Sequence, residues 1–170
     1  DVSKAVATGL KPGLAFTHAR RKYEQHLGCN NLELPVSTLC GTNSFSLFAM
    51  DIISKAEAFA NLFNQAVATY RTKHGLKSKN HPFPDLGVAK GWAETPFWLL
   101  LPGESRRQRL GVKKEASGEI MVGTPGPQGI RISLGVNDQL TALRNLEMQG
   151  TRIRPRALST TIFARLVLSD

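Results

Sequence analysis

The sequence predicts an α+β protein, with long amphipathic helices in its first half and a small antiparallel sheet in its second half. Two observations lead to this fold class. Before residue 75, apolar residues recur at helical spacing, every three or four positions; after residue 87, short apolar runs are separated by Gly, Ser and Pro. Helices followed by strands are typical of α+β proteins. We expect one domain over residues 1–170, helical at 1–75 and mainly antiparallel sheet plus short helices at 88–170.

Two helices account for the first half of the chain. The first is predicted from Pro12 to Leu27, with a proline in its first turn and Gly28 after it. The second signal is stronger, because helical spacing continues from residue 43 to 75 without Pro or Gly, and Asn43 or Ser44 can cap its start. Roughly 30 residues at ~1.5 Å each give about 45 Å. This helix therefore either spans the whole domain or breaks near residue 54.

The second half reads as a meander of about four short strands. Its first strand lies in "GWAETPFWLLLPGE", where both alternating faces are mostly apolar, so we expect it to be covered on both sides. Pro96 places this strand at an edge or in a bulge. The stretch "GTPGPQG" is predicted to be a hairpin turn. A short helix follows over residues 137–149, capped by Asn137 or Asp138 and ended by Gly150.

Composition limits the class of protein. Twenty-two Lys and Arg against thirteen Asp and Glu give a net charge of +9, which attracts anionic molecules. No run reaches the ~18 apolar residues of a membrane-spanning helix, so we expect no membrane partner. Cys29 and Cys40 are too few for a disulfide framework, and we interpret them as reduced thiols of a cytoplasmic protein.

Several kinds of chemistry lack a sequence signature. His18, His26, His74 and His81 are scattered, without the spacing of a metal site, and neither a nucleophile motif nor a phosphate-binding loop is present. We therefore predict no metal and no cofactor, assign no catalytic residue and leave open whether the protein is an enzyme. Nucleic-acid binding ranks third among the functions, because the tryptophans that could stack on bases lie in the most apolar segment; its basic residues would be Arg106, Arg107, Arg109, Lys113 and Lys114.

The closing stretch, "TRIRPRALSTTIFARLVLSD", is the best candidate site. If it is extended, Arg152, Arg154 and Arg156 share one face and repel one another unless a carboxylate or a bound anion neutralises them. Ser159 is then the expected N-cap of a helix, whose start, with Thr160, would complete an anion site. The alternative is that these arginines pair with carboxylates elsewhere in a parent protein. The apolar pattern is still running at Asp170, so we expect the chain to be an internal fragment.

Several segments resemble the later part of a family of larger, uncharacterised bacterial proteins. These segments are "NLELPVSTLC", "FNQAVATYRTKH", "HPFPDL", "GWAETPFWLLLP" and above all "RIRPRALSTTIFARLVLSD". The family is distantly similar to the cysteine-adding enzymes of bacillithiol biosynthesis, which have a Rossmann-like core. The resemblance implies that the remaining domains of a parent chain are partners, and that much of any active site lies outside these residues. The matching positions that could serve a site are His81, Asp85, Glu94, Arg154, Arg156 and Thr160.

The sequence leaves two main classes of function. The leading hypothesis is an anion- or nucleotide-binding surface in a larger transferase-like parent protein, with a phosphorylated or other anionic small molecule as ligand. The alternative is a non-catalytic structural or interaction domain, whose Phe-lined helix packs against the rest of the parent.

Overall fold

The computed structural model describes residues 2–30, 34–125 and 129–168. Within these ranges the chain forms seven helices and six strands, with most of the helices before the sheet, which confirms the α+β class. The described residues gather into two compact units, one within residues 1–41 and one within residues 42–170. No helix among the described residues is long and apolar enough to cross a membrane.

The unit within residues 1–41 is helical. Its elements are α1 (Val2–Ala7), α2 (Pro12–His26) and α3 (Val36–Leu39). The predicted first helix is confirmed as α2: Pro12 occupies its first turn, and Gly28 adopts φ +81° just beyond its end. Cys29 is exposed and Cys40 is buried, and both are free thiols.

The predicted long helix is two helices, α4 (Asn43–Ser54) and α5 (Ala56–Lys73). The break falls at Lys55, whose backbone leaves helical geometry at φ −119° and ψ 24°, so the interpretation with a break near residue 54 is confirmed. The prediction that Asn43 or Ser44 caps the start is wrong. Thr42 is the cap, because its hydroxyl accepts a hydrogen bond from the Phe45 N–H (3.2 Å).

The sheet is an antiparallel meander with one added strand. Its strands are β1 (Val88–Ala89), β2 (Trp92–Leu100), β3 (Gln108–Lys114), β4 (Ile120–Gly123), β5 (Arg131–Ser133) and β6 (Arg152–Pro155). They lie in the order β1-β2-β3-β4-β5, and β6 pairs with β2 beyond the short β1. The register between β2 and β3 shifts between Glu94 and Trp98, so the bulge predicted at Pro96 is confirmed. Strands β4 and β5 form the predicted hairpin; residues 126–128 of its turn lie outside the described residues.

Two helices flank β6. The predicted short helix is confirmed as α6 (Gln139–Met148), and Asp138 is its cap. Hydrogen bonds from the Thr141 side chain and backbone, together with the charge of Arg144, lower the pKa of the Asp138 carboxyl. The last helix, α7, spans Ala157–Leu168. The prediction of Ser159 as its N-cap is therefore wrong, because Ser159 already lies inside the first turn.

Helices α4, α5 and α7 cover one face of the sheet. The aromatic core on this side joins Phe45 and Phe48 of α4, Phe97 of β2 and Phe163 of α7, with ring centroids 5.2 to 6.3 Å apart. We call the opposite face the outer face. Coverage of β2 on both sides is only partly confirmed: the inner face is buried, whereas Trp98 and Leu100 on the outer face are half-buried. A candidate site therefore belongs on the outer face.

Candidate functional site

Strand register gathers arginines around one tryptophan on the outer face. Trp98 of β2 lies opposite Arg109 of β3 on one side and opposite Arg154 of β6 on the other. Two residues further along β2, and so on the same face, Leu100 lies opposite Arg152. Residues that face each other across antiparallel strands have side chains on the same face of the sheet. The sheet therefore brings arginines distant in sequence to one surface.

Two further arginines complete this group. The guanidinium carbon of Arg107 lies 4.8 Å from the centroid of the Trp98 ring, and that of Arg156 lies 5.1 Å from it. Both distances are those of a cation–π contact. We call the whole group the Trp98 cluster; it consists of Trp98, Arg107, Arg109, Arg152, Arg154 and Arg156.

Glu94 anchors one side of the Trp98 cluster. Its carboxylate accepts hydrogen bonds from Arg156 and from Arg109 (3.4 Å), and also from the backbone N–H of Gly87 (3.3 Å). The Glu94 side chain is only 12% exposed, and that of Arg156 is 15% exposed. This pair is therefore partly withdrawn from water, and it fixes the position of the Arg156 guanidinium over the indole of Trp98.

Glu147 of α6 anchors the other side. It accepts a hydrogen bond from Arg154 Nη1 (3.0 Å), which also donates to the Ile153 carbonyl (2.6 Å). Arg107 and Arg152 are exposed and have no ion pair among the described residues. The five guanidinium groups of the cluster thus meet two carboxylates, which leaves an excess of three positive charges. Two of the three closing arginines have carboxylate partners within this chain, and Arg152 has none in the described part.

The two hydroxyl residues predicted for this site have other partners. Ser159 is fully buried, and its hydroxyl donates to the carbonyls of Pro96 (2.6 Å) and Arg156 (3.0 Å). Thr160 is half-buried, and its hydroxyl donates to the same Arg156 carbonyl (3.2 Å). Both side chains therefore fix the turn from β6 into α7, and Ser159 has no surface with which to contact a ligand.

His81 and Asp85, two further candidates from the sequence, lie on the segment between α5 and β1, residues 74–87, which we call the connector. Arg71 of α5 holds it: its guanidinium donates to Asp85 (2.7 Å) and to the carbonyls of Lys79 (2.6 Å), His81 (3.1 Å) and Phe83 (2.6 Å). Asp85 thus serves the conformation of the connector, and His81 contributes its carbonyl. Six candidate positions came from the resemblance of sequence segments. Three of them, Glu94, Arg154 and Arg156, belong to the Trp98 cluster or its anchors.

Sequence reasoning missed two kinds of residue. Arg71 and Asn64 lie two helical turns apart on α5 and both bind the connector; Asn64 exchanges two hydrogen bonds with the backbone of Leu86 (2.8 and 2.9 Å). The sequence also groups Arg107 and Arg109 with a basic nucleic-acid surface rather than with Arg152, Arg154 and Arg156. Their alternation in "RRQRL" signals a shared face, but which strand lies beside it is set by register.

A separate apolar groove of about 540 Å³ lies between α5, the connector and α7. Leu62 and Tyr70 line it and are 67% and 45% exposed, unusual for large apolar side chains. The other side chains at its surface include Phe59, Phe63, Phe83 and Ile162.

No group of three or more His, Cys, Asp or Glu side chains comes together as a metal site within the described ranges. Comparison with protein-family models, with curated proteins and with solved structures finds no match for the chain.

Proposed function

We propose that the Trp98 cluster binds a phosphate-bearing or similarly anionic small molecule, and that the chain contributes this surface to a larger transferase-like protein. The observation that carries the proposal is that two segments of chain, residues 107–109 and 152–156, bring five arginines together around one half-buried tryptophan, against only two carboxylates. Guanidinium groups at such spacing repel one another, and a bound anion relieves that repulsion.

The cluster contains two kinds of arginine: three have a carboxylate partner, and two have none among the described residues. Glu94 and Glu147 orient Arg109, Arg154 and Arg156, so these three lose little conformational entropy when a ligand arrives. Arg107 and Arg152 are exposed and have no carboxylate partner in the described part, although Arg107 rests on the Trp98 ring. Their planar guanidinium groups can bind an anion in a bidentate manner. The three paired arginines then contribute positive electrostatic potential, and Arg107 and Arg152 make the direct contacts with the anion.

The test is calorimetric titration with inorganic pyrophosphate, comparing the chain with the double variant Arg107→Gln, Arg152→Gln. We expect the double variant to bind pyrophosphate at least about tenfold more weakly, because two charge-assisted contacts are lost. The control is Lys114→Gln, which removes one exposed cation of β3 from the opposite face of the sheet and should leave the affinity unchanged.

Two results would count against the proposal. The first is a chain that does not bind pyrophosphate at low ionic strength. The second is unchanged pyrophosphate affinity in the separate double variant Arg154→Ala, Arg156→Ala. Removing two of the five positive charges of the cluster must weaken the binding of any anion there.

The apolar groove favours a second candidate function, an interaction domain. Its surface offers large apolar side chains from two helices, an arrangement suited to the apolar face of an amphipathic helix. Nucleic-acid binding gains no such support, because Trp92, only 8% exposed, offers too little of its ring for a base to stack on, and two guanidinium groups already contact the ring of Trp98.

A second copy of the chain is the simplest occupant to test. We expect sedimentation velocity to show concentration-dependent self-association that Leu62→Glu abolishes, since Leu62 is 67% exposed and its change should hardly affect folding. Leu47→Glu, at a residue of α4 that is 56% exposed, is the control and should leave association intact. A chain that is monomeric at every concentration would remove this support for the second candidate.

A further inference from the structure

A second concave surface lies on the outer face, toward the end of the sheet where β3 turns into β4. It is a cleft of about 630 Å³, which we call the Trp92 cleft. Its floor follows one row of the sheet, in which Trp92 pairs with Lys113 and Lys113 pairs with Met121. Trp92 is buried and Met121 is half-buried, so the floor is an aromatic ring and a thioether joined by the aliphatic stem of a lysine.

Close packing against Gly111 and Pro125 holds the Trp92 indole in the floor of the cleft. A Cβ added at Gly111 would come within 3.0 Å of the Pro125 ring and 3.2 Å of the Trp92 indole. The proline and the indole therefore both rest on the bare backbone of Gly111, a contact that a larger residue would disrupt. The indole is thereby fixed in the floor.

The charged rim of the cleft is partly neutralised from within. Lys113 pairs with Glu115 at 2.6 Å, and Glu119 accepts a hydrogen bond from the Ser133 hydroxyl. The other two cations of the rim, Lys90 and Arg131, are exposed and have no hydrogen bond or ion pair from their side chains among the described residues. The cleft thus has three cations against two carboxylates, a net charge of +1, and Lys90 and Arg131 are its two cations without a partner in the described part of the chain.

Lys90 occupies a backbone position that does not suit it. With Gly91 it forms the two-residue turn between β1 and β2, and both residues have positive φ, +53° and +77°. Asn, Asp and Gly are the residues that fit such a turn best. The turn therefore gives no reason for a lysine, whereas a cation at the mouth of the cleft does.

We propose that the Trp92 cleft is a binding site for a small molecule with an apolar ring or chain and one anionic group. The apolar part rests on Trp92 and Met121, and Lys90 and Arg131 bind the anionic group from the rim. This site is separate from the Trp98 cluster and does not depend on the function proposed for that cluster.

The probe is 8-anilinonaphthalene-1-sulfonate, an aromatic molecule with one sulfonate, and N-phenyl-1-naphthylamine is its uncharged analogue. Binding is followed through the indole N–H signal of Trp92 in the ¹H–¹⁵N spectrum, assigned with the variant Trp98→Phe. We expect the sulfonate to shift this signal at concentrations about a hundredfold lower than the uncharged analogue requires, because two charge-assisted contacts, each worth about tenfold, are added.

Variants then separate this cleft from other surfaces. Lys90→Asn suits the positive φ of the turn and removes the charge, and Arg131→Gln removes the other charge; each should weaken sulfonate binding about tenfold and leave the uncharged analogue unaffected. Arg152→Gln, in the Trp98 cluster, should change neither titration. The proposal is overturned if the Trp92 signal does not move with the sulfonate, or if both rim variants bind it as the unaltered chain does.

Discussion

At the scale of single residues, Ser159 shows how a site prediction can become a packing finding. Its hydroxyl is enclosed and bridges β2 to the start of α7 through the carbonyls of Pro96 and Arg156. Both carbonyls keep another donor when the hydroxyl is lost, because the N–H of Arg156 bonds to Pro96 and that of Thr160 bonds to Arg156. Ser159 is therefore a residue of moderate energetic weight rather than an indispensable one.

We predict that Ser159→Ala lowers the free energy of unfolding by about 1 kcal/mol, the typical net value of one buried hydrogen bond. Urea titration measures this change. Thr161→Ala is the control, because the exposed Thr161 hydroxyl donates only to the Ala157 carbonyl of its own helix, so we expect a change within about 0.5 kcal/mol. Pyrophosphate affinity should be the same in Ser159→Ala as in the unaltered chain; a marked loss would return Ser159 to the anion site.

At the scale of elements, the sequence predicted the helices and the bulge, which depend on local signals, but not which strands lie side by side in the sheet. Helical spacing identified α2, α4, α5 and α6, and Pro96 identified the bulge, because apolar period and proline geometry act within one segment. The pairing of β6 with β2 lies beyond such signals. Its partner is chosen by long-range packing, so the meeting of Arg107 with Arg156 over Trp98 could not be read from either segment alone.

The connector is the element whose conformation depends most on one side chain. Arg71 donates to three of its carbonyls and to Asp85, and the Arg71 side chain is only 14% exposed. We predict that Arg71→Gln costs about 2 kcal/mol of unfolding free energy and that trypsin then cleaves after Lys77 and Lys79 faster. Arg71→Lys should resemble Arg71→Gln, since an ammonium group cannot span the same set of acceptors.

The matched control for the connector is Thr72→Ala, the next residue on α5, whose exposed hydroxyl donates only to the Ala68 carbonyl. Its proteolysis rate should equal that of the unaltered chain. Equal cleavage rates in Arg71→Gln and Thr72→Ala would mean that the connector keeps its conformation without Arg71, and that Asn64 alone fixes it through Leu86.

At the scale of the whole molecule, the charge excess is concentrated as well as large. The Trp98 cluster together with Glu94 and Glu147 has a net charge of +3, a third of the net charge of +9 of the chain, and all of these residues lie within residues 42–170. The aromatic core of α4, β2 and α7 lies in the same unit. Thr42, the cap of α4, stands at the first position of this unit, so a chain begun there keeps its first helix capped.

We therefore predict that residues 42–170, produced alone, unfold in one cooperative urea transition and bind pyrophosphate within about twofold of the full chain, because a complete core and cluster are retained. A second fragment, residues 56–170, lacks α4 and with it Phe45 and Phe48, so it should lose the cooperative transition. Failure of the longer fragment to fold would move the boundary of the unit away from Thr42. Folding without pyrophosphate binding would instead mean that the Trp98 cluster is insufficient by itself to bind the anion.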